Sequence, residues 1–173
     1  LQDGTEINAS RIVSGADPKR TLLGLVGPEQ LPSGTTKPAQ AMKTRVGYLK
    51  FHAALSRLPD FSHYFPTDYD PRYIASMKIC PSIQYYQAAW SDAAAGRPAA
   101  RPVMEVQIPS VLDDTLTEPG QHVMSVWGLY APVHPCDGNW DTLREPVGEG
   151  LIDVLSEYAP DLRECLVDWS LFT

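Results

Sequence analysis

The chain has 173 residues, 43% of them apolar and 20% charged, the composition of an ordinary globular domain long enough to close a core without metal or disulfide staples. Its net charge of -7 opposes binding to phosphate backbones, which need clustered Lys and Arg to replace counterions, so nucleic acid is excluded as a partner. The three cysteines, Cys80, Cys136 and Cys165, are widely spaced and form no Cys-x-x-Cys pair, which argues against a disulfide framework and a structural zinc site and fits a reducing compartment.

No run approaches the ~18 apolar residues that would span a bilayer, and Leu1-Gln2-Asp3-Gly4 lacks the basic and apolar parts of a signal peptide. Gln2-Asp3-Gly4-Thr5 carries the Asp-Gly signature of a two-residue hairpin turn. The strand that should precede that turn is missing, so the chain reads as cut from something longer. Glu6 to Val13 is predicted to be a strand that runs into the tight loop Ser14-Gly15-Ala16-Asp17-Pro18. Lys19 to Val26 reads as a short helix stopped by Gly27-Pro28, and Glu29 to Pro38 as a Pro- and Gly-rich loop.

Between Lys43 and Leu55 the pattern switches to period two, with Val46 and Tyr48 on one side and Gly47, Leu49 and Phe51 on the other, which predicts a strand. Leu58 to Pro71 is rich in Pro and aromatics, the composition of a surface insertion whose rings pack locally or of a lid over a site. Ser82 caps a helix in which Ile83, Tyr86, Trp90 and Ala94 recur at helical spacing, closed by Gly96 and Pro98.

Two strands follow, Val103 to Ile108 and His122 to Pro132, and their connection is too short for a helical crossover, so they should pair antiparallel. Trp140 to Tyr158 carries a helical stripe of Val147, Leu151, Val154, Leu155 and Tyr158, with Pro146 expected to delay its regular start. The last predicted strand, Arg163 to Leu171, places Cys165, Val167 and Trp169 on one face. The order of elements gives an α+β fold: a mixed, largely antiparallel sheet covered by helices on one face. Within His122 to Pro132 both residue sets are apolar, Met124, Val126 and Tyr130 on one side and Val123, Trp127 and Leu129 on the other. That is the pattern of a central strand whose second face meets another domain, another subunit or a large apolar ligand.

No self-contained catalytic set emerges. Ser110 with His122, or His134 with Asp137, could serve as nucleophile and base, but Ser110 lies in Ile-Pro-Ser-Val instead of Gly-x-Ser-x-Gly and no third group orients a base. His52, His63, His122 and His134 lack metal-ligand spacing, and neither Gly-x-Gly-x-x-Gly nor Gly-x-x-x-x-Gly-Lys occurs. Catalytic and metal-binding residues are therefore left unassigned, and the chain supplies no pyrophosphate-binding turn of its own.

The segment Asp3-Gly4-Thr5-Glu6-Ile7-Asn8-Ala9-Ser10-Arg11-Ile12-Val13-Ser14-Gly15-Ala16-Asp17-Pro18 resembles the part of phytoene-dehydrogenase-like flavoproteins in which a hairpin feeds a strand ending in a Ser-x-Ala-Asp-Pro turn. That family commonly has Asn where Gly15 stands. Ile108-Pro109-Ser110 with Asp113 or Asp114, then Pro119-Gly120-Gln121-His122-Val123, resembles its substrate-domain strands. Trp140-Asp141 and Tyr158-Ala159-Pro160 resemble the helix and turn that follow.

The resemblance implies the substrate-binding domain of an FAD-dependent amine-oxidase/phytoene-desaturase-like oxidoreductase, with residues 1–18 a remnant of the FAD-binding domain and residues 19–173 the substrate-binding domain. It implies FAD in the full-length parent, none in this piece, and an apolar small-molecule substrate. Ser14, Gly15, Ala16 and Asp17 would lie near the cofactor, and Tyr48, Phe51, Ile108, Ser110, Trp127 and Tyr130 would line the substrate pocket. The missing FAD-binding segments of the same chain are the implied partners, and the implied location is cytoplasmic with peripheral membrane association in the full-length form. The competing expectation is a non-catalytic α+β ligand-binding module, or a homodimer formed through an exposed sheet face.

Overall fold

The structure, a computed structural model, describes residues 3–66 and 68–173. It divides into two compact units, Leu1–Lys43 and Thr44–Thr173.

In the first unit Gly4 takes φ 81° and Asp3 Oδ1 accepts from the Thr5 N–H at 2.9 Å, the local chemistry of the expected turn; Gln2 lies outside the described residues. Glu6 to Val13 is not a strand. A strand persists by pairing its backbone and burying one face, and here no described residue pairs with it while Val13 is 97% exposed. Asp17 then accepts from the Arg20 N–H and caps helix α1 (Pro18–Arg20), which continues as a π-helical turn over Thr21–Val26 and stops at Gly27, φ 92°. The stretch read as loop, Glu29 to Pro38, ends inside helix α2 (Thr36–Ala41). Pro38 is tolerated there because the first N–H groups of a helix have no intrahelical acceptor to lose.

The second unit is a five-stranded sheet of β1 (Val46–Leu55), β2 (Ser76–Ile79), β3 (Val103–Gln107), β4 (His122–Pro132) and β5 (Leu166–Phe172). Its order is β2-β3-β4-β1-β5 and every pairing is antiparallel, the α+β class expected from the sequence. β4 takes the central place that its two apolar faces demand, with Val103 opposite Leu129 and Phe51 opposite Val126. Strand β2 escaped the sequence reading because its four residues are too few for a period-two pattern to stand out.

Helix α3 (Ile83–Ala94) begins where expected, with Ser82 Oγ accepting from the Tyr85 N–H at 3.1 Å. It buries Ala89 against Val103 and Leu129, buries Ala93 as well, and turns Ile83, Tyr86 and Trp90 outward. Helix α4 (Trp140–Ser156) does not wait for Pro146. Asn139 and Thr142 exchange capping hydrogen bonds that fix the first turn at Trp140, and the proline costs only the one bond its missing N–H would have made.

Helix α5 (Leu162–Cys165) occupies the start of the predicted last strand, so Cys165 is helical and buried instead of sharing a strand face with Val167 and Trp169. Asp161 just ahead of α5 anchors it, accepting from the Arg57 guanidinium and from the Asp60 N–H at 2.8 Å.

The main core lies between α4 and one face of the sheet, where Leu151, Ile152 and Leu155 meet Leu49, Phe51, Met124 and Val126. Phe51 stacks on Trp169 with centroids 5.6 Å apart, and the Trp169 ring occupies the space over Gly148. A Cβ at Gly148 would stand 2.2 Å from that ring, whereas one at Gly150 would meet nothing within 4 Å. Gly148→Ala should thus push Trp169 off Phe51 and destabilise the fold by about 1–3 kcal/mol. Gly150→Ala, two residues along the same helix, should be neutral or stabilising by up to about 1 kcal/mol. Urea midpoints of the two variants check the contrast; equal midpoints would show that the ring is free to move away.

Candidate functional site

Alternation along β1 sorts its side chains: Leu49, Phe51, Ala53 and Leu55 enter the core, and Tyr48, Lys50 and His52 face the other way. Among the described residues of this unit, α3 covers one corner of that second face, opposite α4. The remainder is open and carries a cluster of aromatic rings beside a polar row.

Three of the predicted pocket residues meet there. Tyr48, 57% exposed, sets its ring edge-on to Trp127, 39% exposed, at 5.9 Å between centroids. Tyr130 lies edge-on to Tyr86 at 5.7 Å and to Trp90 at 5.2 Å, so two residues of α3 extend the wall. A register shift between Gly47 and Tyr48 leaves Tyr130 without a β1 partner. The Tyr86 and Tyr130 hydroxyls share a hydrogen bond, which together with burial pushes the Tyr130 phenol up to about 12. Tyr130 is therefore neutral at physiological pH, a hydrogen-bonding group and not a base.

The other three lie elsewhere. Phe51 and Ile108 are fully buried in the core beside α4, where no ligand on the open face touches them. Ser110, 7% exposed, accepts from the Val123 N–H at 3.2 Å and lies 2.9 Å from His122 Nδ1. The hydroxyl can accept from Val123 and still either donate to Nδ1 or accept from it, according to the imidazole tautomer. Burial draws the His122 pKa down. Among the described residues no carboxylate hydrogen-bonds His122, so the pair lacks the third group a nucleophilic serine needs. Its evident work is to pin the turn Pro109–Val111 to the start of β4.

Lys50, His52 and Phe172 also face the open side and were missed. The signal was present: two-residue steps from Tyr48 lead to Lys50 and His52, whereas Phe51 was chosen because it is aromatic, one position out of phase. Lys50 Nζ lies 3.9 Å over the Trp127 ring, and His52 sets its imidazole edge-on to Phe172 at 5.7 Å. A separate apolar cleft of about 350 Å³ between Leu49, Pro98, Ala99, Pro146 and Leu151 carries charge only through Arg97, already paired with Asp92 at 3.0 Å, and Asp137.

In the first unit the turn Ser14, Gly15, Ala16, Asp17 satisfies itself. Ser14 Oγ takes the Ala16 N–H at 3.3 Å and contacts Thr21 Oγ1 at 2.8 Å, and Asp17 occupies the Arg20 N–H at 3.0 Å. A phosphate would find those donors taken and a carboxylate in its way, so these residues do not fit as the holder of a flavin pyrophosphate. Among the described residues no cluster of His, Cys, Asp and Glu is arranged to hold a metal ion, and no helix is long and apolar enough to cross a membrane.

No protein-family model matches the chain. It is similar along its whole length to pyridine nucleotide-disulfide oxidoreductase domain-containing protein 2 of Mus musculus, at 30% identity over 179 residues and covering 31% of the mouse protein. The protein of the same description from Rattus norvegicus matches at the same identity and coverage. The chain thus spans about a third of the length of the curated relatives it matches, and the likeness is to a stretch within oxidoreductase-domain proteins.

The Ser110 pin yields a stability prediction. Ser110→Ala removes the partner of a half-buried N–H and of Nδ1, and should cost about 1–2 kcal/mol in urea denaturation. Because the folded His122 pKa lies below the ordinary 6.5, its contribution is complete above that value and is lost as pH falls through the lowered one. The urea midpoint should therefore drop between pH 7.5 and pH 5 (roughly the range bracketing an ordinary histidine), and by less in His122→Asn. His52, also shifted down, contributes in the same direction, so some pH dependence should survive in that variant.

Proposed function

We propose that this chain is the substrate-binding part of an FAD-dependent oxidoreductase of the phytoene-dehydrogenase-like kind, acting on an apolar substrate, with the flavin held by other segments of the same protein. The observation that carries this reading is the aromatic face of the sheet formed by Tyr48, Trp127 and Tyr130 and extended by Tyr86 and Trp90. Apolar surface of this kind seldom stays in water on a finished protein, and aromatic walls with few polar groups are the usual lining of sites for apolar ligands. The likeness to oxidoreductase-domain proteins supports the same class of chemistry. The resemblance in the segment 3–18 is what assigns residues 1–18 to the flavin-binding domain and residues 19–173 to the substrate side in this reading; the compact units divide elsewhere, between Lys43 and Thr44.

When bound in such a protein, FAD supplies the acceptor for a hydride equivalent. The work left to this chain is to bind, orient and dry the substrate. Tyr48 and Trp127 offer ring faces and edges that hold an apolar body, and the hydrogen bond between Tyr86 and Tyr130 keeps two further rings from collapsing into the site. No side chain of the chain is assigned a proton-transfer step. A stand-alone ligand-binding or dimerising module is the second reading, favoured by the same exposure of Trp127 and of Phe172 at 59%.

The full-length protein decides between them. It should purify yellow, with flavin absorbance near about 450 nm, a property of the isoalloxazine ring. A colourless full-length protein that neither retains nor takes up FAD would reject the oxidoreductase reading and leave the module.

A further inference from the structure

The open sheet face holds a charge that the reading above leaves unused. Lys50 stands opposite Trp127 on β4 and opposite Phe172 on β5, so aromatic residues flank it on both neighbouring strands. Its Nζ lies over the Trp127 ring at 3.9 Å, and among the described residues it makes no ion pair. Further along the same row Glu105 is already engaged by Lys78 at 3.1 Å. The next row along the strands is polar, with Gln107, Ser125, His52 and Ser170 in register. The face thus grades from aromatic to polar, and Lys50 marks the boundary.

Whatever covers this face removes water from the ammonium group. A ring beneath it compensates only in part, and a dehydrated ammonium without an anion is strongly unfavourable. A purely hydrocarbon occupant would bury Lys50 uncompensated; an occupant with an acidic end would turn the same burial into an attraction. Burial and the neighbouring Lys50 charge keep His52 neutral, able to donate one N–H to the same acid.

We propose that the ligand of this face is an amphipathic anion: an apolar chain or ring system lying on Tyr48, Trp127 and Phe172, with a carboxylate paired to Lys50 and hydrogen-bonded by His52. The inference rests on reading this face as the substrate wall, and it adds the acidic end.

Decanoate, decanol and decyltrimethylammonium, equal in apolar length and different in charge, are the probes, titrated into the full-length protein with tryptophan fluorescence and calorimetry as readouts. Decanoate should bind at least about tenfold more tightly than decanol, and the cation more weakly than either. Lys50→Met keeps the apolar stem over Trp127 and should bring decanoate and decanol within about twofold of each other, by weakening decanoate and strengthening decanol, which no longer buries an unpaired charge; Lys50→Arg should keep the preference. Should Lys50→Met fail to fold, Lys50→Gln takes its place. Equal binding of decanoate and decanol in the wild type, or a preference that survives Lys50→Met, overturns the acidic end and leaves the substrate wall standing. Failure of all three probes to bind, or a dimer that excludes them, overturns the wall and this inference together.

Discussion

The seating of α4 on the sheet depends on one close approach. Gly148 has no side chain where the Trp169 ring lies, and that ring in turn stacks on Phe51 at the centre of β1. Through this contact the helix lowers Leu151, Ile152 and Leu155 onto Met124 and Val126 and seals one face of the sheet. At roughly 25 cal/mol per Å² of apolar surface removed from water, this layer is the main source of stability in the unit. The opposite face carries a smaller core, where Val103 and Leu129 meet Ala89 and Ala99 and Tyr130 packs against them, while Tyr48 and Trp127 lie outside both clusters.

Much of this arrangement could be read from the amino-acid order, because the physics involved is local. Period-two alternation marked β1 and β4, Ser82 marked the start of α3, and the apolar stripe of α4 pointed at its buried residues. The failures have equally physical causes. Glu6 to Val13 has the composition of a strand, but composition cannot supply a pairing partner. Helix α2 was hidden by Pro38, whose place in the first turn makes it harmless. Cys165 was assigned to a strand because its helix is a single turn, too short for any periodicity to register.

The candidate site was legible to the level of residue type and not of phase. Tyr48, Trp127 and Tyr130 do lie on the open face, but Phe51 was grouped with them although one step along a strand reverses the face. Lys50 and His52 were passed over because a charge and an imidazole do not advertise an apolar site, and only the register with Trp127 and Phe172 reveals their setting. Ser110 and His122 form a third case: the sequence offered them as a nucleophile and base, and they do touch, yet the contact is a structural clasp on the end of β4.

The alternation of β1 separates two kinds of evolutionary change. Leu49, Phe51 and Ala53 are tied to α4 and Trp169, so replacements there must be matched by others across the core. Tyr48, Lys50 and His52, interleaved with them on the same strand, answer only to what lies against the open face. Replacements at these alternate positions can therefore remodel the open face while the packing on the other side of the strand is kept, so the two sides of one strand are free to change at different rates.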